Sequence, residues 1–415
     1  MTMHQRWYVI VLQVALEVSS QLPSFEVFVR WNNRSYVSGS PEYNQRHALF
    51  EKRRLDADHW NQNVDRLWSA GVNSFSDWTD IELRALFGRS ASRFGTKINS
   101  ENSSRDRVSA RNDELLSTVF LHPRLPEKEH TSSEKEFQDD FNGRISFVKQ
   151  SRQYPQSPEE QSWSHLVAMQ EPVQEQGDCG SCWAIATSML LRAHTEIHQK
   201  QARVCSTQEL LSCVPNPSEC GGKGGCRGAT MSLGLDWVWR NGCTEEHHEP
   251  YLSGETGKTH TCNRIIENLS PPTKHSFGML GWQRLPQNQQ EPLMRGLVEL
   301  GPVGVSVASN EWLPYARGIF DGCSKYAVIN HAVILFAYGK DLDNKYWTIR
   351  NSWGADWGEQ GNMRLLRRDD DEHNWCGLDY EPEVGTGCKG GPESVTVCGM
   401  CGILYSQVVP MFSSA

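Results

Sequence analysis

The chain has 415 residues, a net charge of −9 and 38% hydrophobic content, enough for two or three domains with packed cores. An acidic balance spread along the chain argues against nucleic acid as a partner, and no stretch approaches the roughly 18 apolar residues of a membrane span. All 13 cysteines lie at or after Cys179, and setting aside one reactive thiol leaves 12, an even number whose density implies disulfides and an oxidising compartment.

From the N-terminus, the apolar run Trp7 to Val18 follows His4 and Arg6 and ends on Ser19 and Ser20, which predicts a cleaved secretory signal over 1–20. Gln13 and Glu17 interrupt it, so an ordinary terminal helix or strand stays open as the alternative. Sequons at Asn33, Asn102 and Asn268 are compatible with glycosylation on that route. Ser40-Pro41 is a helix start, and Phe50, Ala57 and Val64 recur at heptad spacing, with Leu49, Trp60, Leu67 and Trp68 near the same face. The pattern predicts a helical domain over 21–87 whose long helix runs toward Gly71 and needs a surface to pack on. Residues 88–154 are dominated by Ser, Arg, Asp, Glu and Lys without an apolar period, which predicts a flexible linker open to proteolytic activation.

From 155 onward, helices are predicted at 182–200, 206–213 and 228–241, and strands at 301–307 and after His331, an α+β pattern in two lobes. Cys182, in Gln176-Gly177-Asp178-Cys179-Gly180-Ser181-Cys182-Trp183, falls at the N-terminus of the first of these helices. Unpaired N–H groups and the positive end of the dipole favour a thiolate there. Cys179 and Cys182 also form a CxxC pair, which leaves thiol-disulfide exchange as a competing reading. A thiolate nucleophile needs a base. His331 heads an apolar strand and Asn351 ends the next; antiparallel pairing through the polar turn 339–345 would set the amide oxygen of Asn351 on the imidazole, with Trp353 covering the bond. In the glycine-rich loop after Cys220, Gly224 and Gly225 are the candidates for holding a substrate strand by backbone hydrogen bonds, with Gly221 and Gly222 as rivals and a disulfide loop with no ligand role as the alternative. Cys398 and Cys401 lack a second CxxC or CxxH nearby, so disulfides are expected there and no metal.

Taken together, the run Gln176 to Trp183, Asn330-His331-Ala332-Val333, and Asn351-Ser352-Trp353-Gly354 followed by Trp357-Gly358-Glu359 resemble the papain family of cathepsin-like cysteine peptidases. His331 lies 331 − 182 = 149 and Asn351 lies 351 − 182 = 169 residues after Cys182. Against the family's roughly 130–150 the asparagine is late, as a loop insertion would make it. Glu42, Arg46, Phe50 and Asn61, with Gly71-x-Asn73-x-Phe75-x-Asp77, resemble the family's inhibitory prosegment, although Arg53 replaces its usual Asn and Ala57 its usual Ile. Tyr154 to Trp163 resembles the mature N-terminus, which places cleavage near 150–160 and the peptidase domain at 155–415, and Cys401-Gly402-Ile403 resembles the family's closing segment, which makes residues 373–400 an inserted, cysteine-bearing loop before the closing strand.

The resemblance implies a papain-like α+β fold, a helical lobe plus an antiparallel β-barrel-like lobe, behind a small helical prodomain. It implies a monomeric cysteine endopeptidase that hydrolyses proteins or peptides through a thioester, has its own propeptide as inhibitor and uses no cofactor. It also implies synthesis as a zymogen in the secretory pathway, bound for a lysosome or vacuole or the extracellular space. Cys182 matches the nucleophile, His331 the general acid/base, Asn351 the orienting residue and Gln176 the oxyanion donor. Ser306, Ile329, Asn330 and Ser406 match positions bordering a neutral pocket for an apolar P2 residue. Among the cystines it suggests Cys179 with Cys220, Cys213 with Cys262, and Cys323 with Cys401, for which Cys376 is the rival; Cys205, Cys226, Cys243, Cys376, Cys388 and Cys398 remain unassigned. The reading from another class is a catalytically silent, disulfide-rich binding protein on the same scaffold, which labelling by a thiol-directed epoxide separates.

Overall fold

A computed structural model describes residues 22–87, 157–263, 277–368 and 374–413. The expected signal, the 88–154 linker and the sequons at Asn102 and Asn268 lie outside the described residues.

Helix α1 (Phe25–Trp31) starts at Ser24, whose hydroxyl accepts from the Val27 N–H, and α2 (Pro41–Asn61) starts at Ser40 with proline in its first turn. Phe25, Phe28 and Phe50 form a small core between them, and Ala57 is buried as its spacing predicts. The helix stops at Asn61, short of the expected Gly71, and Val64 is 92% exposed. Asn61 ends it by exchanging two 2.8 Å hydrogen bonds with the backbone of Ala70, which turns the chain back as strand β1 (Trp68–Ala70). One-turn helix α3 (Asp80–Leu83) follows, closed by a reciprocal Thr79/Glu82 capping box.

Besides single turns, the elements that follow are β2 (Gln161–Ser162), α4 (Cys182–Gln199), α5 (Thr207–Cys213), α6 (Met231–Asn241), β3 (Met279–Arg284), α7 (Gln290–Glu299), β4 (Val303–Val307), β5 (Tyr315–Phe320), β6 (His331–Asp341), β7 (Asn344–Arg350), β8 (Asn362–Leu366), β9 (Cys376–Asp379), β10 (Val395–Cys398) and β11 (Ser406–Phe412). Helix α4 is buried over most of its length because it lies between the helical lobe and the sheet, with Leu190, Leu191 and Trp183 sharing a core with Ala332, Ile334 and Phe336 of β6. The sheet runs β1-β5-β8-β7-β6-β4-β11-β3, with β2 against β6, and β9 pairs with β10 separately. Where a barrel-like antiparallel lobe was expected, the described sheet is open, ending at β1 and β3, and its β5/β8 pair is parallel. The α+β class holds.

Cys213–Cys262 and Cys323–Cys401 form as expected, joined by Cys205–Cys243 and Cys376–Cys398. Cys179 pairs with Cys226, not Cys220, and Cys220 is bonded instead to Cys388. The reason is local: Gly180 donates to the Cys226 carbonyl at 3.0 Å and bridges Arg227 in parallel, which brings Cys226 up to Cys179 and leaves Cys220 turned toward the insertion.

Candidate active site

Cys182 is the first residue of α4, buried, and the one free cysteine among the described residues. Ser181 at the N-cap makes no capping bond; its hydroxyl engages the Tyr251 hydroxyl at 2.6 Å and the Cys179 carbonyl at 3.3 Å. The first-turn N–H groups are therefore left without a side-chain acceptor beside the sulfur. His331 opens β6, and Asn351 immediately follows β7. Antiparallel pairing through the turn at Asp341–Asn344 sets His331 Nε2 2.6 Å from Asn351 Oδ1, the arrangement expected from the sequence. The Trp353 ring lies 5.1 Å from the imidazole and Trp312 stands edge-on at 6.1 Å, so the bond is enclosed by indoles. The other imidazole nitrogen, Nδ1, is buried with no hydrogen-bond partner among the described residues, and His331 and Cys182 line one cavity.

Burial pushes the Cys182 thiol up to about 11 and the His331 imidazole down to about 4, the latter opposed by its bond to Asn351. Loss of water thus favours the neutral thiol and the neutral imidazole in this covered state, against the thiolate that the helix position favours.

Gln176 is held from three sides. Its Oε1 accepts from Ser352 Oγ at 2.7 Å, its N–H donates to the Ser352 carbonyl at 2.9 Å, and its carbonyl accepts from the Tyr251 hydroxyl at 2.7 Å. The first bond fixes the amide so that Nε2 points into the cleft, where it donates to the carbonyl of Ala85 at 3.0 Å and to that of Cys179 at 3.2 Å. A prosegment carbonyl thus lies on the amide expected to hold an oxyanion. Beside it Leu86 is fully buried and Phe87 stands edge-on to Trp353 at 6.0 Å. Sequence reasoning missed Ser352, Tyr251 and Ala85. Ser352 sits inside the Asn351–Trp353 run and was within reach, whereas a backbone carbonyl carries no sequence signal.

The prosegment is tied down by the motif read from the sequence. Strand β1 pairs antiparallel with β5, Asn73 Nδ2 donates to the Leu313 carbonyl at 2.6 Å, and Phe75 stands edge-on to Trp353 at 6.1 Å. Fully buried Asp77 accepts from Arg34 at 3.2 Å and from the Tyr36 hydroxyl at 2.7 Å. Arg53, in place of the usual Asn, donates to the Phe75 carbonyl at 2.9 Å. Arg46 grips Glu82 with two nitrogens, which, with the Thr79 cap, holds that carboxyl down to about 2. A depressed carboxyl stabilises the clasp fully above its ordinary value of 4.5, and the contribution is lost as pH falls through about 2. Arg46→Ala is therefore expected to shift acid release of the prosegment to higher pH, read as trypsin sensitivity of α2 in a proteolytically dead zymogen across a pH series.

Ser306 and Asn330 line the cavity beside Cys182, and Ser306 and Ser406 line an adjoining one with Met231. Gly224 and Gly225 line neither. Gly224 donates to the Gly228 carbonyl at 2.7 Å, and Gly225 accepts from Trp183 Nε1 at 3.2 Å. The wall is built instead by Gly221, Gly228 and Ala229, because the Cys179–Cys226 bond sets the segment after Cys226 along the cleft. Cys398 and Cys401 are each in a disulfide. No helix among the described residues is long and apolar enough to cross a membrane.

Residues 157–386 match the family model of papain family cysteine proteases, and residues 25–83 match that of the cathepsin propeptide inhibitor domain. The chain is 26% identical over 372 residues to vignain of Phaseolus vulgaris, an alignment covering 88% of this chain and 86% of vignain. It is 30% identical over 246 residues to a KDEL-tailed cysteine endopeptidase of Arabidopsis thaliana, covering 58% of this chain and 62% of that one. Two solved proforms share the fold at 22% identity and a TM-score of 0.61: the recombinant stem bromelain precursor, covering 94% of this chain and 98% of its own, and the ragweed pollen allergen Amb a 11, covering 94% of each.

Proposed function

Because the chain belongs to the papain family of cysteine proteases and is a cysteine endopeptidase made as a zymogen, we propose that Cys182 attacks the scissile carbonyl and that His331 moves the protons. In the processed enzyme the Cys182 proton passes to His331 before attack, and the thiolate then forms the C–S bond. Asn351, accepting from the other ring nitrogen, holds the tautomer that leaves the near nitrogen basic. The oxyanion takes N–H groups from Gln176 Nε2 and the Cys182 backbone. On collapse the C–N bond breaks and His331 protonates the leaving amine; a water deprotonated by His331 then cleaves the thioester, forming the C–O bond and returning the sulfur. The observation that carries this reading is a free, buried thiol at the head of α4 sharing a cavity with His331, next to an amide that already holds a peptide carbonyl.

Residues 1–20 are then a signal, 21–87 an inhibitory propeptide, 88–154 an activation linker and 155–415 the peptidase with its insertion. The product is a monomer of the secretory pathway, in a lysosome or vacuole or outside the cell, a placement supported by the KDEL-tailed relative and the disulfide density. Ser306, Asn330 and Ser406 border a neutral pocket suited to an apolar P2 side chain.

Once the prosegment leaves the Gln176 side of the cleft, water reaches the pair from there and thiolate and imidazolium stabilise each other, so the neutral pair converts to the reactive ion pair. The test is iodoacetamide labelling from about pH 4 to about pH 8, before and after acid processing. The zymogen is expected to resist; the processed enzyme is expected to label at Cys182 and to cleave a fluorogenic peptide. A folded, processed protein that does neither returns the chain to the silent binding protein. The bond from Cys179 to Cys226 disfavours thiol-disulfide exchange, which requires Cys179 to pair with Cys182.

A further inference from the structure

The insertion expected as a mere loop lies in the groove. Its base is the β9/β10 hairpin, closed by Cys376–Cys398, and Asp379 Oδ2 accepts from the Ile329 N–H at 3.0 Å on the wall that carries His331. Its tip crosses to the opposite wall, where the Gly387 carbonyl accepts from the Gly221 N–H at 2.8 Å, Lys389 donates to the Ser218 carbonyl at 3.0 Å, and Cys388 is bonded to Cys220. Between these anchors Val384 and Gly385 line the cavity of Cys182 and His331, and Thr386 lines the adjoining one of Ser306 and Ser406. The space left is about 10 Å³ in the first and about 30 Å³ in the second, room for a water but not for a side chain. No described prosegment residue lines either cavity, so this end of the groove is filled by the peptidase itself.

We propose that Val384-Gly385-Thr386 is a built-in plug of the subsite for the P2 residue and so determines specificity: while Cys388 is tied to Cys220, an extended substrate engages without burying its P2 side chain and is cleaved slowly, and the subsite fills once the tip lifts. The proposal rests on the catalytic assignment above and on Ser306 and Ser406 bordering that subsite. It also accounts for Gly385, where a Cβ would stand 2.0 Å from the Ile329 carbonyl oxygen, so that no larger residue lets the tip lie this close to the wall.

The test compares the processed enzyme with two variants. Cys220→Ser with Cys388→Ser cuts the tether; Gly385→Ala keeps the tether but pushes the tip off the wall. Each is assayed on a blocked tripeptide reporter with an apolar P2 residue and on a reporter with one unblocked amino acid, with iodoacetamide alkylation of Cys182 reporting how far the cavity of the thiol itself opens. Both variants are expected to gain about 10- to 100-fold in kcat/KM on the tripeptide, what burying one apolar side chain is worth, and far less on the single-residue reporter, which leaves that subsite empty. Equal turnover of the tripeptide by all three proteins overturns the proposal, as does a gain shared equally by both reporters. Failure of Cys182 to alkylate in all three would instead unseat the catalytic assignment beneath it.

Discussion

Replacing Cys182 or His331 by alanine is expected to lower kcat of the processed enzyme by about 10⁴-fold or more, and the double variant is expected to be no worse than either single one. The two side chains act as a unit. Without the sulfur there is nothing for the imidazole to deprotonate, and without the imidazole the buried sulfur keeps the proton that burial already favours. What survives is the oxyanion donors and ground-state binding, which cost nothing to leave in place and still exceed bulk water. Activity on a fluorogenic peptide, with thermal melts to establish that each variant is folded, decides the matter. Retention of more than about 1% by either single variant would mean that another group carries the chemistry. Cys179→Ala is the informative contrast, since it breaks the Cys179–Cys226 bond and harms folding while leaving Cys182 in place.

Gln176→Ala is expected to cost about 10²- to 10³-fold in kcat with little change in KM, because a preorganised donor acts on charge that exists only in the transition state. The same change should weaken inhibition by the prosegment, whose Ala85 carbonyl occupies that donor at 3.0 Å. Ser352→Ala should fall between native and Gln176→Ala, since Ser352 positions the amide through a 2.7 Å bond to Oε1 without touching the reacting atoms. The two readouts, kcat on a peptide and the inhibition constant of the added prosegment, should move together in both variants. A Gln176→Ala enzyme with native kcat would show that the Cys182 backbone N–H suffices alone.

What was legible in the sequence is what local pattern determines. The apolar run after Cys182 fixes α4 within one residue of its observed end, and the two strands flanking a polar turn bring His331 and Asn351 together without further information. The prosegment motif was legible for the same reason, since Asn73, Phe75 and Asp77 make their contacts from one short turn. Long-range pairings were not. The choice of Cys226 over Cys220 as partner of Cys179 depends on how a glycine-rich turn folds back on Gly180, and the wall of the cleft shifts with it from Gly224 and Gly225 to Gly228 and Ala229. The end of α2 was misplaced because the heptad continues past Asn61 on paper, whereas the amide of Asn61 and the edge of β5 compete for the same backbone and win. The insertion was recognised as an insertion; that it returns across the groove is set by Cys388, whose partner lies 168 residues away.

The pairing of β1 with β5 means that zymogen processing also undresses a sheet. With Trp68, Ser69 and Ala70 gone, the backbone donors and acceptors of Tyr315 to Gly318 meet solvent as a bare rim, a template on which a second molecule would otherwise lay a strand. Two residues guard against it: Arg317 projects an exposed charge along the rim, and Gly318, at φ +96°, breaks its straightness.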